Sequence, residues 1–331
     1  MLPASSSSSH TQLALGIEIE LLIRPKAPAI EALKKRGWTE PDALRKWDEW
    51  ISLKNAFARS SESGKARLKL QLDAAENDVS RVRTDVHAVL AQAMGKEGIP
   101  AAVNQPGYAM WKVVNEPKLN EIRGFWKVEI VSKVLGSSQN WQSEVKRVFD
   151  ALHRSFDIHL TKDCSMHVHV SPGQGKSFTV DQVRSIVKAT AYYDKAITEY
   201  VPAERKNNPW AVANFSSPRL NSNVKKAYDQ VLRDGWGPVF RAIDSVVRVR
   251  VATAHSLFND RSLSWNFSRL ADDCGTVEFR RPPGVSNAAS ATEWAQFTLS
   301  FVRNAIAHDW SQEAASKTHA NSKGLVCFVG K

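Results

Sequence analysis

The sequence lacks several features, and each gap narrows its function. Its 331 residues include only three cysteines, Cys164, Cys274 and Cys327, and none stands in CxxC spacing. A disulfide scaffold and a structural zinc site are therefore not expected, and a reducing, cytoplasmic location is. No apolar run approaches the roughly 18 residues that cross a bilayer, so no membrane association is expected. The Ser-rich start has no apolar core and reads as a disordered tail over residues 1–12, not as a secretory signal. In a cytoplasmic chain the sequons at Asn214 and Asn266 carry no glycan. Neither GxxxxGK(S/T) nor GxGxxG occurs, so a phosphate site cannot rest on a glycine-rich loop. There is no internal repeat.

What is present is an ordinary globular composition, 43% hydrophobic and 24% charged, enough to bury a sizeable core. The net charge of +11, from 45 Lys and Arg against 34 Asp and Glu, fits a solvated basic surface. It also fits an anionic partner: a nucleotide, a nucleic acid or an acidic substrate. Strand patterns are expected at Leu13–Ile23, Tyr108–Val114, Trp126–Leu135, His159–Ser171, Ser262–Leu270 and Gly275–Arg281. Helical spacing is expected at Trp141–Phe156, Val180–Tyr200 and Asn223–Asp234, and after a capping box at Ser290–Glu293. Residues 40–97 read as a helical hairpin inserted into a single domain over 13–310, with a break near Ser60–Gly64. Residues 311–331 read as a C-terminal tail.

Three strands carry ionisable residues on alternate positions, and so on one face each. In Gly16–Glu20 these are Glu18 and Glu20; in Met166–Val170, His167 and His169; in Val277–Arg280, Glu278 and Arg280. Glu129, in Trp126–Ser132, adds a carboxylate. A surface strand wetted on its polar face explains any one of these segments, but three together call for more. If the strands are neighbours, Glu18, Glu20, Glu129 and Glu278 crowd one face and cannot all stay ionised unaided. Divalent cations resolve that crowding, and an oxygen-rich set with histidine favours Mg²⁺ or Mn²⁺ over Zn²⁺. Arg205, Lys206, Arg219, Arg280 and Arg281 supply the cations that a polyphosphate needs beside such metals.

The order Gly-Ile-Glu-Ile-Glu, Trp-Lys-Val-Val, Val-Glu-Ile-Val-Ser, Met-His-Val-His-Val, Pro-Ala-Glu-Arg and Val-Glu-Phe-Arg resembles the amidoligase family, relatives of glutamine synthetase and glutamate–cysteine ligase. The resemblance covers about Leu15–Gly284 and the closing helix, but not the helical insertion. It implies an α+β fold: a curved, mainly antiparallel sheet with helices on its outer face. It implies ATP and two or more Mg²⁺ (or Mn²⁺) ions on the concave side. The implied reaction forms an amide from a small-molecule or peptide carboxylate and an amine through an acyl phosphate, as in natural-product biosynthesis.

Carried over by position, Glu18, His167 and Glu278 hold the metal that bridges ATP phosphates, and Glu20 and Glu129 the metal near the substrate. His169 and Ser171 contact ATP, Asn266 contacts substrate or nucleotide, and Arg280 and Arg205 hold phosphate oxygens. Glu116 and Glu129 are the candidate general bases. The sequence departs from the family at Asn115-Glu116-Pro117-Lys118, where an Asp and a small residue are usual, at Ser132-Lys133 for Ser-Pro, and at Ser165 for Gly. The 201–220 loop and the helical insertion are candidate lids. A metal-dependent hydrolase built on His167 and His169 and a basic nucleic-acid-binding protein are the competing classes, beside an inactive relative. No nucleic-acid recognition motif occurs. A homo-oligomer is compatible with the sequence.

Overall fold

Strand β1, Ala14–Pro25, runs through the middle of the sheet. Its alternation explains that place: Ile17, Ile19, Leu21 and Ile23 are fully buried, while Glu18 and Glu20 take the other face. The computed structural model describes residues 12–173, 175–248, 256–258, 260–272 and 274–330. The expected disordered start therefore lies outside the described residues, apart from Gln12.

The further strands are β2 (Ala101–Val103), β3 (Trp111–Val114), β4 (Trp126–Val131), β5 (Leu135–Gly136), β6 (Phe156–His159), β7 (Met166–Ser171), β8 (Trp265–Asn266) and β9 (Val277–Phe279). Their order is β2-β3-β4-β1-β7-β9-β8, with β5 and β6 paired to the two ends of β1. Only β2 and β3 run parallel, so the unclosed sheet is mixed and mainly antiparallel.

The helices are α1 (Ala27–Lys34), α2 (Glu40–Arg59), α3 (Glu62–Lys96), α4 (Trp141–Ser155), α5 (Val180–Tyr200), α6 (Ala203–Lys206), α7 (Ser222–Asp229), α8 (Val231–Asp234), α9 (Gly237–Val246), α10 (Ala288–Ala307) and α11 (Ser322–Val329). α1, α3 and α10 lie on the apolar face of the sheet, and α4 packs on β6. The polar face is left to the loops. This is an α+β architecture.

α2 and α3 form the expected hairpin and break at Ser60–Ser61, where the Ser61 side chain caps α3. His87 on α3 ties this hairpin to the sheet. It is 2% exposed, and its Nε2–H donates to the Lys127 carbonyl on β4 at 2.8 Å. Burial lowers its pKa to about 4, so the native state holds neutral imidazole. The unfolded chain takes up a proton below about pH 6.5. Stability is therefore whole above that pH and falls between about 6.5 and 4, by roughly 3 kcal/mol in all. Urea unfolding across that window should show the slope, and His87→Gln should flatten it.

Several expected elements are corrected. His159–Ser171 is not one strand: a turn at Thr161–Cys164, closed by Cys164 N–H to Thr161 O at 3.1 Å, separates β6 from β7. Ser262–Leu270 keeps only two strand residues, because Phe267 turns helical and Ser268–Leu270 form a 3-10 turn. The helix expected over Asn223–Asp234 breaks at Gln230 into α7 and α8. α10 starts ahead of the expected capping box, with Asn287 accepting from Ser290 N–H at 2.9 Å. The expected C-terminal tail contains α11, whose Leu325 and Phe328 are buried against α5 and α10. α1 and α9 were not expected; each has proline in its first turn, where no amide donor is missed.

Candidate functional site

The strand register builds the site. Glu20 stands opposite Glu129, Glu18 opposite His167, and His169 opposite Glu278, which also faces Asn266. Four neighbouring strands, β4, β1, β7 and β9, thus place carboxylates and imidazoles in one row. Two groups form within it. Glu18, His169 and Glu278 offer ligand atoms all within 4.8 Å of one another, and Glu20, Glu116 and Glu129 do the same. His167 lies between them, with Nδ1 3.2 Å from Glu18 and 3.5 Å from Glu278, and Nε2 3.9 Å from Glu20. The resemblance assigns His167 to the first group. The geometry gives His169 equal access, at 3.3 Å from Glu18 and 3.8 Å from Glu278. Glu116, which the sequence offered only as a base, joins the second carboxylate group. No third histidine joins the pair among the described residues; His255 lies outside them.

Charge crowding sets the protonation of these groups. Burial, then the charges of Glu18, Glu20 and Glu116, push the Glu129 carboxyl up to about 9. Burial also raises Glu20. Burial works the same way on Glu18 and Glu278, but His169 and His167 outweigh it and hold both below the usual carboxylate range. Burial disfavours the His169 imidazolium, yet Glu18 and Glu278 raise its pKa.

These residues fit divalent cations on two observations. His169 Nε2 is buried and makes no hydrogen bond. Glu129 can ionise near neutral pH only beside added positive charge. Five carboxylates with imidazole are the hard donor set of Mg²⁺ or Mn²⁺.

Neighbouring groups orient the row. Arg280 donates to Glu278 Oε1, and Asn266 Nδ2 donates to Glu278 Oε2 at 2.7 Å. The position proposed from the resemblance for nucleotide or substrate contact is thus occupied by an amide that holds Glu278. Arg205 is 2% exposed, and its Nε–H and one Nη2–H donate to the Arg281 and Arg280 carbonyls at 3.1 and 2.7 Å. Burial lowers its pKa to about 10. Arg281 points to the opposite side of the strand, bonding Thr198 and the Lys206 carbonyl, and does not join the site.

Three cavities border the row. The first, about 670 Å³, lies at the N-terminal end of β1 against Glu18, His169, Ser171, Tyr108, Lys133 and Arg269. The second, about 440 Å³, lies at the other end against Glu20, His167, Arg205, Lys162, Trp210 and Arg280. The third, about 730 Å³, opens beside β8 and β9.

Sequence reasoning missed four contributors. Ser165 donates to Glu20 Oε2 and lies 3.1 Å from His167 Nε2; Thr276 Oγ1 lies 3.2 Å from His169 Nδ1. Extending the alternation by one step in each strand reaches both. Asp194 and Asn214 gave no such signal. Asp194 on α5 accepts the Asn214 and Phe215 N–H groups at 3.0 and 3.3 Å. Burial still pushes its carboxyl up to about 7. The Asn214 side chain then pairs with both the carbonyl and the N–H of Trp265, each at 2.8 Å, and so extends β8.

No helix among the described residues is long and apolar enough to cross a membrane. No curated protein matches the chain. A family model described as "putative amidoligase enzyme" matches residues 11–302, most of the chain, and the protein belongs to that amidoligase family.

Proposed function

We propose that this amidoligase is an ATP- and Mg²⁺-dependent carboxylate–amine ligase working through an acyl phosphate, on a sheet of the glutamine synthetase kind. Family membership supports the amide-forming ligase. One observation carries the finer reading: two acid-rich groups lie side by side on one sheet face, with Arg280 and Arg205 beside them and a cavity at each end. Held there, divalent cations supply positive charge against both the carboxylates and a polyphosphate.

The remaining work falls to the chain's own residues. His169 and Ser171 border the first cavity, where the nucleotide sits. Arg280 borders both the second and third cavities and offers its guanidinium to the transferred phosphoryl group. Arg205, fixed by two backbone carbonyls, presents its charge to the acid in the second cavity. A carboxylate oxygen of the acid attacks the γ-phosphorus, and ADP leaves with the bridging oxygen. The amine nitrogen then attacks the acyl carbon, phosphate leaves, and the amine's proton passes to Glu116 or Glu129. Lys118, with Nζ 4.9 Å from the centre of the Trp210 ring, borders the second cavity.

Calorimetry of ATP with Mg²⁺, repeated with chelator, tests this reading. ATP should bind only with the metal present. A folded protein that takes up Mg²⁺ but no ATP defeats the ligase reading.

A further inference from the structure

The third cavity has arginines in its lining, Arg219 and Arg261, that the reaction above does not use. Its inner wall is Asn266, Glu278 and Arg280, already placed at the cation and phosphoryl sites. Its outer wall carries Lys118, Arg219, Arg261 and Arg269 beside Asp260 and Asp272, so that cations outnumber carboxylates there. Of these, Arg219 has Asp260 for a partner, at a loose 3.8 Å, with its side chain 65% exposed. Lys118 sits over Trp210, and neither it nor Arg261 has a carboxylate partner among the described residues.

This outer wall is continuous with the acid's cavity, because the second and third cavities share Lys118, Trp210 and Arg280. Trp210 is fixed at that junction: its carbonyl accepts from Arg280 Nε at 3.4 Å. Lys118 is tied down from the other side by its own N–H to Glu116 Oε1, at 2.8 Å. The third cavity also meets the first, at Arg269 and Asp272, but Arg219 and Arg261 border only the third and stand away from the first. An acid whose reacting carboxylate meets Arg205 and Arg280 can therefore continue past Trp210 into a region where cations outnumber carboxylates. An excess of cations around a concave site concentrates anions there, and guanidinium forks match carboxylates.

We propose that the acid substrate is an extended polyacid, of the acidic-peptide class, whose second carboxylate binds Lys118, Arg219 and Arg261 beside Trp210. This assignment rests on the ligase reading for the position of the reacting carboxylate.

The test compares two probes, N-acetylated tri-glutamate and N-acetylated tri-glutamine, which have the same length and the same single C-terminal carboxylate. Each is titrated by calorimetry into protein holding Mg²⁺ and a non-hydrolysable ATP analogue. The analogue is titrated first, so failure of the nucleotide site shows separately from failure of the anion site. Tri-glutamate should bind at least about tenfold tighter, in the range of one or two charge-assisted contacts. The double variant Arg219→Gln, Arg261→Gln should lose that preference while keeping the analogue's affinity and the melting temperature. Equal affinity of the two peptides for the wild type overturns the proposal. So does a double variant that loses the analogue instead, since the two arginines then serve the triphosphate.

Discussion

Glu278→Gln and Glu129→Gln are each expected to lower divalent-cation affinity at least about 100-fold, at or beyond the upper end of what losing a supporting partner costs. Their effects on the metal-free fold should differ. Glu278 is 1% exposed and lies among cations and donors: Arg280, the Asn266 amide, and the His167 and His169 rings. Removing its charge leaves Arg280 without its buried partner, a loss of about 3–5 kcal/mol where such pairs are broken. Glu129 faces Glu20 across the strand pair, with Glu116 close by. With its carboxyl pushed up to about 9, Glu129 is already protonated in the metal-free protein near neutral pH, so the amide matches the form present and spares the proton uptake that folding requires; the metal-free variant should melt no lower than the wild type. Thermal unfolding in chelator, with cation calorimetry alongside, separates the two variants. Wild-type cation affinity in either variant, or a clear drop in melting temperature for Glu129→Gln without metal, contradicts this account.

The row itself was legible because a strand's period of two is strict. Ile17 and Ile19 had to face the core, which sent Glu18 and Glu20 to the other side. The hairpin was legible for a similar reason: α3 repeats Val79, Val82, Val86 and Leu90 at helical spacing, and all are buried. The extent of β8 was not legible: of the strand expected over Ser262–Leu270 only Trp265 and Asn266 pair, and they owe that pairing to β9 and to the Asn214 side chain. The placement of Glu116 could not be read either, since it follows β3 in a loop that no periodicity controls. The same holds for Lys118 and Trp210, which meet from separate loops. α11 is one short apolar segment, and only its docking on α5 and α10 distinguishes it from a tail.

Asn214→Ala is expected to destabilise the fold strongly although the side chain lies outside the row. Asn214 is fully buried, and its amide serves the N–H and C=O of Trp265. Truncation leaves both backbone groups unpaired in the interior, at about 1–3 kcal/mol each, so the loss should reach about 2–5 kcal/mol in urea unfolding. The consequence for the site follows along the strand. Trp265 fixes Asn266, whose Nδ2 holds Glu278 Oε2, so loosening β8 releases a carboxylate of the first cation group. Cation affinity should fall by about 10–100-fold, as it does when a ligand loses its supporting hydrogen bond. Asn266→Ala separates the two effects. It removes the same support from Glu278 and leaves the Asn214–Trp265 pairing in place, while freeing the part-buried Ser268 N–H and hydroxyl from Asn266 Oδ1, so it should reproduce the affinity loss without loosening the backbone of Trp265. If Asn266→Ala keeps wild-type cation affinity, the path from Asp194 and Asn214 ends at the strand backbone and does not reach the site.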